Sequence, residues 1–371
     1  MRGYRRSAGL VIGAVVCGLG AWRLAATGAE APGQGAPAPV ERLAGLVEAF
    51  PDPGFERPSG PWTLSLPADH GAHPAARMET WAISARLEDE AGRTMGLHFL
   101  LARLGLDAAP ADEGAPWEPR ALWVAGVALA GEGESAVVEE RLSRGALGSA
   151  GHDDGTVWLD DWSIDVEATE EGARLTLDAS IGARPLSLAL TPVKPAVAAG
   201  EGEDAPARGF AVSRLAVDGT LGAGETHARV TGLAWLDRLW GEVPLPGGPV
   251  AYDRLSVQLD DGTDLALVRT RRRDGRGSAT VEGTAIGADG VARPRGPAVA
   301  MTPTAAAEGD YPLSWRVEGE GLDLDVAPAF ESRPREGLLP AWNGLVRVAG
   351  RREGRAVAGT GTLQLTGYAT R

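Results

Sequence analysis

The sequence predicts an all-β protein built as two related halves behind an exported N-terminal segment. Short apolar runs alternate with polar residues from Trp62 onward. The 52 glycines and 26 prolines fall between those runs rather than in one block, the mark of many short strands joined by turns. One stretch of this pattern also occurs twice in the chain, in the same order.

The N-terminus sets the compartment. Arg2, Arg5 and Arg6 precede an uncharged, Gly- and Ala-rich run from Ala8 to Trp22, which Arg23 ends. A membrane span needs roughly 20 apolar residues, so residues 1–31 read as a secretory signal peptide or an N-terminal anchor. Ala29-Glu30-Ala31 supplies a cleavage sequence. Residues 32–57 read as a linker with a short helix, carried by Leu43, Leu46, Val47 and Phe50. The predicted location is the periplasm or the outer face of the inner membrane, with the N-terminus as the means of tethering.

Strand grammar fills the rest. Trp81, Ile83, Ala85 and Leu87 share one face; after a Glu-Asp-Glu-Ala-Gly turn, Met95, Leu97, Phe99 and Leu101 share the return face. Leu255, Val257 and Leu259, then Asp261-Gly262, then Leu265 and Leu267 repeat it. Asp218-Gly219, Asp274-Gly275, Asp289-Gly290 and Glu353-Gly354 supply further tight turns, because glycine accepts positive φ. A short helix is expected around Ala136 to Arg144.

The formal net charge is −14, with acids spread along both halves. No basic face is available for a phosphate backbone, so nucleic acid is not a partner. Cys17, the only cysteine, lies in the N-terminal apolar run. Disulfides, thiolate zinc sites and cysteine nucleophiles are thereby excluded from the folded part.

The duplication pairs Leu87-Glu88-Asp89 and Arg103 with Leu259-Asp260-Asp261 and Arg269. It also pairs Trp162-Ser163-Ile164 and Leu175-Thr176-Leu177 with Trp315-Arg316-Val317 and Leu322-Asp323-Leu324. A repeat of about 150 residues is a duplicated domain, not a solenoid unit. The Pro/Gly/Glu-rich stretch from Pro195 to Arg208 is the expected boundary, giving domains over 58–200 and 208–371.

Several segments resemble one family. They are Asp69-His70-Gly71-Ala72-His73-Pro74 with Glu79-Thr80-Trp81, the run Gly232 to Gly241, the run Leu255 to Thr263, and the ending Leu363 to Tyr368. Together they resemble the lipocalin-like family of AttH-type secreted proteins and carotenoid hydratases (CrtC-like). The resemblance implies two tandem lipocalin-like β-barrel domains of about eight to ten strands, with an apolar cavity. Departures are plain. The family commonly has Glu-Trp-Trp-Tyr where Glu79-Thr80-Trp81-Ala82 stands here, and Asp-His-Glu-Trp where Asp237-Arg238-Leu239-Trp240 stands. It has Trp-Asp-Trp-Phe where Tyr252-Asp253-Arg254-Leu255 stands.

Hydrating an isolated alkene needs a carboxylic acid kept protonated in a dry cavity and aromatic faces to stabilise the cation. The candidate catalytic carboxylates are Asp237, Asp253 and Glu79. The candidate ligand-binding residues are Asp69, His70, His73, Trp81, Trp235, Trp240 and Tyr252. The plainer alternative is that these acids cap turns or pair with Arg77, Arg238 and Arg254 while the rings fill two cores. His98, His152 and His227 lie outside comparable motifs, so no metal site is expected, and no cofactor is expected because no nucleotide-binding loop is present. No Gly-x-Ser-x-Gly elbow is present for a serine esterase.

Three functions stay open. The first is an exported protein binding an apolar or amphipathic small molecule, accessory to an ABC transporter permease. The second is a hydratase or hydrolase acting on a lipid or carotenoid-like substrate by carboxylic-acid protonation. The third is a structural or interaction module filled by its own side chains.

Overall fold

The computed structural model describes residues 54–368 apart from 109–119, 135, 171, 201–204, 224–225, 242–249, 297, 305–310 and 331–340. The signal or anchor over 1–31 and the helix within 32–57 lie outside the described residues. Among the described residues no helix is long and apolar enough to cross a membrane.

The chain is all-β and forms two separate antiparallel sheets. The first holds β1 (Met78–Asp89), β2 (Thr94–Gly105), β3 (Ala121–Gly131), β4 (Val137–Ser143), β5 (Ala150–His152) and β6 (Thr156–Leu159). It continues with β7 (Trp162–Thr169), β8 (Gly172–Ile181), β9 (Arg184–Pro192), β10 (Val197–Ala199), β11 (Ala207–Ala223) and β12 (Thr226–Gly241). The second holds β13 (Val250–Leu259), β14 (Asp264–Arg272), β15 (Thr280–Ile286), β16 (Ala292–Arg295) and β17 (Ala300–Pro303). Its remaining strands are β18 (Trp315–Gly319), β19 (Leu322–Pro328), β20 (Ala341–Arg352) and β21 (Arg355–Thr366).

The first sheet runs β4-β3-β2-β1-β12-β11-β9-β8-β7-β6-β5, with β10 on β11, and the second β16-β15-β14-β13-β21-β20-β19-β18-β17. Both curl into near-barrels. The alternating apolar positions face inward as the period of two requires. Trp81, Ile83, Ala85, Leu87, Leu97, Phe99 and Leu101 all enter the first core, and Leu255, Val257, Leu259, Leu265 and Leu267 the second.

Five expectations are corrected. Residues 195–208 do not separate the halves: β11 and β12 complete the first sheet between β9 and β1, so the sheets part between Gly241 and Val250. Ala136 to Arg144 is not a helix but β4, paired with β3 from Trp123–Ser143 to Leu129–Val137. Asp218-Gly219 is not a turn. Both residues lie inside β11, bonded to β12 and β9, and Gly219 lets the Ser187 carbonyl approach where a Cβ would collide. The barrels are not closed by backbone ladders among the described residues, since each strand order has two free ends. The duplication is in step at β1–β2 against β13–β14. It is one strand out at Trp162 and Trp315, because β7 lies five strands from β1 and β18 only four from β13.

Side chains tie β4, one free end of the first sheet, to β8 and to the turn between β6 and β7. Arg141 of β4 donates to Ser180 Oγ of β8 at 2.9 Å, pairs with Asp161 and lies 4.0 Å over the Trp162 ring. Glu139 accepts the Gly182 N–H at 2.8 Å.

The two sheets pack through their outer faces. A β-bulge in β11 between Val212 and Leu215 brings Ser213 and Arg214 to Asp264 of the second sheet, at 2.8 and 2.6 Å. Lys194, the only lysine in the chain, meets the same carboxylate at 2.8 Å. Trp235, Ala211, Val197, Ala266 and Ile286 form an apolar patch in this interface.

Candidate functional site

Six of the candidate residues meet at one end of the first barrel. Glu79, at 0% exposure, faces Arg103 across β1 and β2 at 3.0 Å and Arg238 of β12 at 2.5 Å. The backbone N–H of His73 donates to Glu79 at 2.6 Å. Arg238 lies 3.9 Å over the Trp81 ring and donates to His73 Nδ1 at 3.1 Å. The opposite ring nitrogen of His73 therefore carries the proton and donates to Asp69 at 3.2 Å. His73 stacks on Trp240 at 3.8 Å, Trp62 meets Trp240 edge-on at 5.3 Å, and the Trp81 indole donates to the His70 carbonyl.

This cluster is electrostatically committed. Burial works against the charge on Glu79, but Arg238, His73 and Arg103 outweigh it and hold the carboxyl at about 2. Burial, aided by Arg238, pushes His70 down to about 4, leaving it neutral against the edge of Phe210. Glu79 is thus a fixed anion between two guanidiniums, without a proton to give at neutral pH.

Asp237 sits on the opposite face of β12 from Arg238, in the interface between the sheets. Burial pushes its carboxyl up, against the pull of Arg254. Arg254 donates to it at 2.5 Å and the Trp235 indole at 3.1 Å, so both oxygens are occupied. The plainer pairing of acids with arginines holds at Arg238–Glu79 and Arg254–Asp237.

Asp253 faces the interior of the second barrel, at 0% exposure. Its Oδ2 accepts from Arg269 at 2.6 Å and Arg271 at 3.3 Å, and the Tyr368 hydroxyl hydrogen-bonds the same carboxylate. Burial pushes this carboxyl up, opposed by Arg271 and Arg269. Aromatic rings surround the group: Arg269 lies over Trp315 and Arg271 over Tyr368, which leans on Tyr311. Arg269 also lines a cavity of about 380 Å3 with Val281, Val299 and Met301. Tyr252, the neighbour of Asp253, points to the other face of β13 and donates its backbone N–H to Thr366.

The profile of the AttH-like family matches residues 57–368. The chain belongs to the AttH-like family. An AttH protein of Nitrosomonas europaea is 25% identical, with a TM-score of 0.71 over 85% of this chain and 99% of that one. Kievitone hydratase of Nectria haematococca shares the fold at 14% identity, with a TM-score of 0.63 over 86% of this chain and 99% of that one. No functionally curated protein matches the chain.

Within this AttH-like chain the candidate residues fall into three places rather than one. Arg103, Arg269 and Arg271 were not among the sequence candidates. The signal that finds them is register, since Glu79 pairs with Arg103 and Asp253 with Arg269 across equivalent hairpins. Among the described residues no group of His, Cys, Asp and Glu is arranged to hold a metal ion.

Proposed function

We propose that this exported AttH-like protein adds water across a carbon–carbon double bond of an apolar or amphipathic small molecule in its second barrel, with Asp253 as the acid. The observation that carries this reading is the state of Asp253. Of the three candidate carboxylates it alone combines a raised pKa with a partner, Arg269, that lines a cavity, and the Tyr368 hydroxyl reaches it as well. A carboxyl whose pKa is raised by dry surroundings is the kind of donor that alkene protonation requires. The carboxyl proton goes to one alkene carbon and a carbocation forms on the other. Water then bonds to the cation, and its surplus proton returns to the Asp253 carboxylate.

The shared fold with kievitone hydratase supports a hydratase over a passive module. The first barrel serves as scaffold in this reading, because its interior is filled by its own side chains. A second reading, a carrier serving an ABC transporter permease, is favoured by Arg269 and Arg271, which already occupy Asp253 Oδ2. Incubation with unsaturated lipids and polyenes in 18O-water separates the two. Hydrated product that Asp253→Asn abolishes, with the far-UV spectrum unchanged, supports the hydratase. Ligand retained by both proteins without label uptake supports the carrier.

A further inference from the structure

Among the described residues the second barrel has a slot between two strand edges. β16 pairs with β15 only from Gly283 to Ile286, so no described strand pairs with the first residues of β15 on that edge. Across the gap stands β17, which ends the sheet. The cavity of about 380 Å3 occupies this gap, walled by Val281, Val299 and Met301 and edged by Thr280 and Thr302. Its volume falls in the range of about 300–1,000 Å3 usual for small-molecule sites.

The same slot opens onto positive charge. Arg269 of β14 lines it, and Arg271 follows two residues along the same strand, in a chain of net charge −14. Arg269 and Arg271 share the inward parity of Leu265 and Leu267. Both reach the single carboxylate of Asp253, so two half-buried guanidiniums are set against one acid. The contrast with the other large cavity is informative. That cavity, about 490 Å3, is lined by Arg293, Arg295 and Arg352. There each arginine meets its own carboxylate, Asp289, Glu320 and Asp261 in turn. Among the described residues, two guanidiniums sharing one carboxylate mark the slot and not the other large cavity.

We propose that the slot binds an anionic amphipath, its carboxylate or phosphate head on Arg269 and Arg271 and its apolar tail along Val281, Val299 and Met301. Guanidiniums favour such heads because their planar forks match oxyanion geometry. The long-range repulsion of the acidic surface is screened beyond about 8 Å at physiological salt, so the local pair governs recognition. The proposal rests on the second barrel being the reactive site, and names the ligand class that site accepts.

The test uses the whole protein and titration calorimetry with dodecanoate, dodecanol and dodecyltrimethylammonium. Dodecanoate should bind about tenfold or more tighter than dodecanol, and the cation should not bind. Arg271→Gln should remove that preference while leaving dodecanol unchanged, and Met301→Trp should weaken both. Equal affinity for the acid and the alcohol overturns the proposal without any variant. Undiminished dodecanoate binding in Met301→Trp overturns it too. Phosphatidylglycerol vesicles separate a free amphipath from a membrane surface: co-sedimentation with vesicles but no dodecanoate uptake overturns the slot. Tight dodecanoate binding with no hydration of any unsaturated acid leaves the slot standing and removes the hydratase. Hydration of a neutral polyene that dodecanoate fails to inhibit does the reverse.

Discussion

Arg238 of β12 meets Glu79 of β1 at 2.5 Å, with both side chains wholly shielded from solvent. Each is costly to bury alone, and breaking a buried pair from one side leaves a stranded charge. Glu79→Gln should lower the unfolding free energy by about 3–5 kcal/mol, read as a drop in the urea midpoint at constant slope. A midpoint within experimental error of the parent would show that the pair is not what holds this end of the barrel.

Acid should act on this end in two separate windows. His70 and Glu79 both have folded pKa values below their unfolded ones, so each contributes stability that is lost as pH falls. His70 loses its share between pH 6.5 and about 4, and Glu79 between pH 4.5 and about 2. Each share is on the order of 3 kcal/mol. Asp237 and Asp253, pushed up by burial, act in the opposite direction. The windows are therefore read as differences between parent and variant. His70→Leu should flatten the stability curve between pH 6.5 and 4; an unchanged slope there would contradict the assignment.

The latch on the first barrel should be separable from its core. Arg141→Ala removes the contacts to Ser180, Asp161 and Trp162. The expected loss is about 1–2 kcal/mol. Amide exchange in β4 should quicken while β1 and β12 keep their protection. Uniform quickening throughout the sheet would mean that β4 is not an independent edge.

Asp264 should couple the halves. It is at 0% exposure and serves Lys194, Ser213 and Arg214 from the other sheet. In Asp264→Ala these partners lose their shared acceptor, so calorimetry should resolve two transitions where the parent shows one. One transition, merely shifted, would place the coupling elsewhere.

What the sequence reveals here follows the range of the interaction. The inward faces of β1, β2, β13 and β14 were legible because alternation is local and needs no partner. The segment Ala136 to Arg144 was misread because Glu139, Glu140 and Arg141 favour helix on their own, whereas pairing with β3 decides their state. Asp218-Gly219 misled for the opposite reason: a turn dipeptide serves as a thin place where β9 passes. The site was harder. Glu79 faces Arg103 across one hairpin, within reach of local register, but finds Arg238 at a separation of 159 residues, a distance at which sequence pattern carries none. Clustering of His70, His73, Trp81 and Trp240 around those arginines was beyond reach for the same reason.

The position of β12 has a consequence for biosynthesis. β1 leaves the ribosome early yet has one flank bare until residues near Trp240 are made. The nascent chain therefore carries a hydrophobic strand edge through most of the synthesis of its first domain, when mispairing with other chains is easiest. Folding of the first sheet must await Gly241, and a fragment ending near residue 200 would emerge as an aggregate rather than as half a protein.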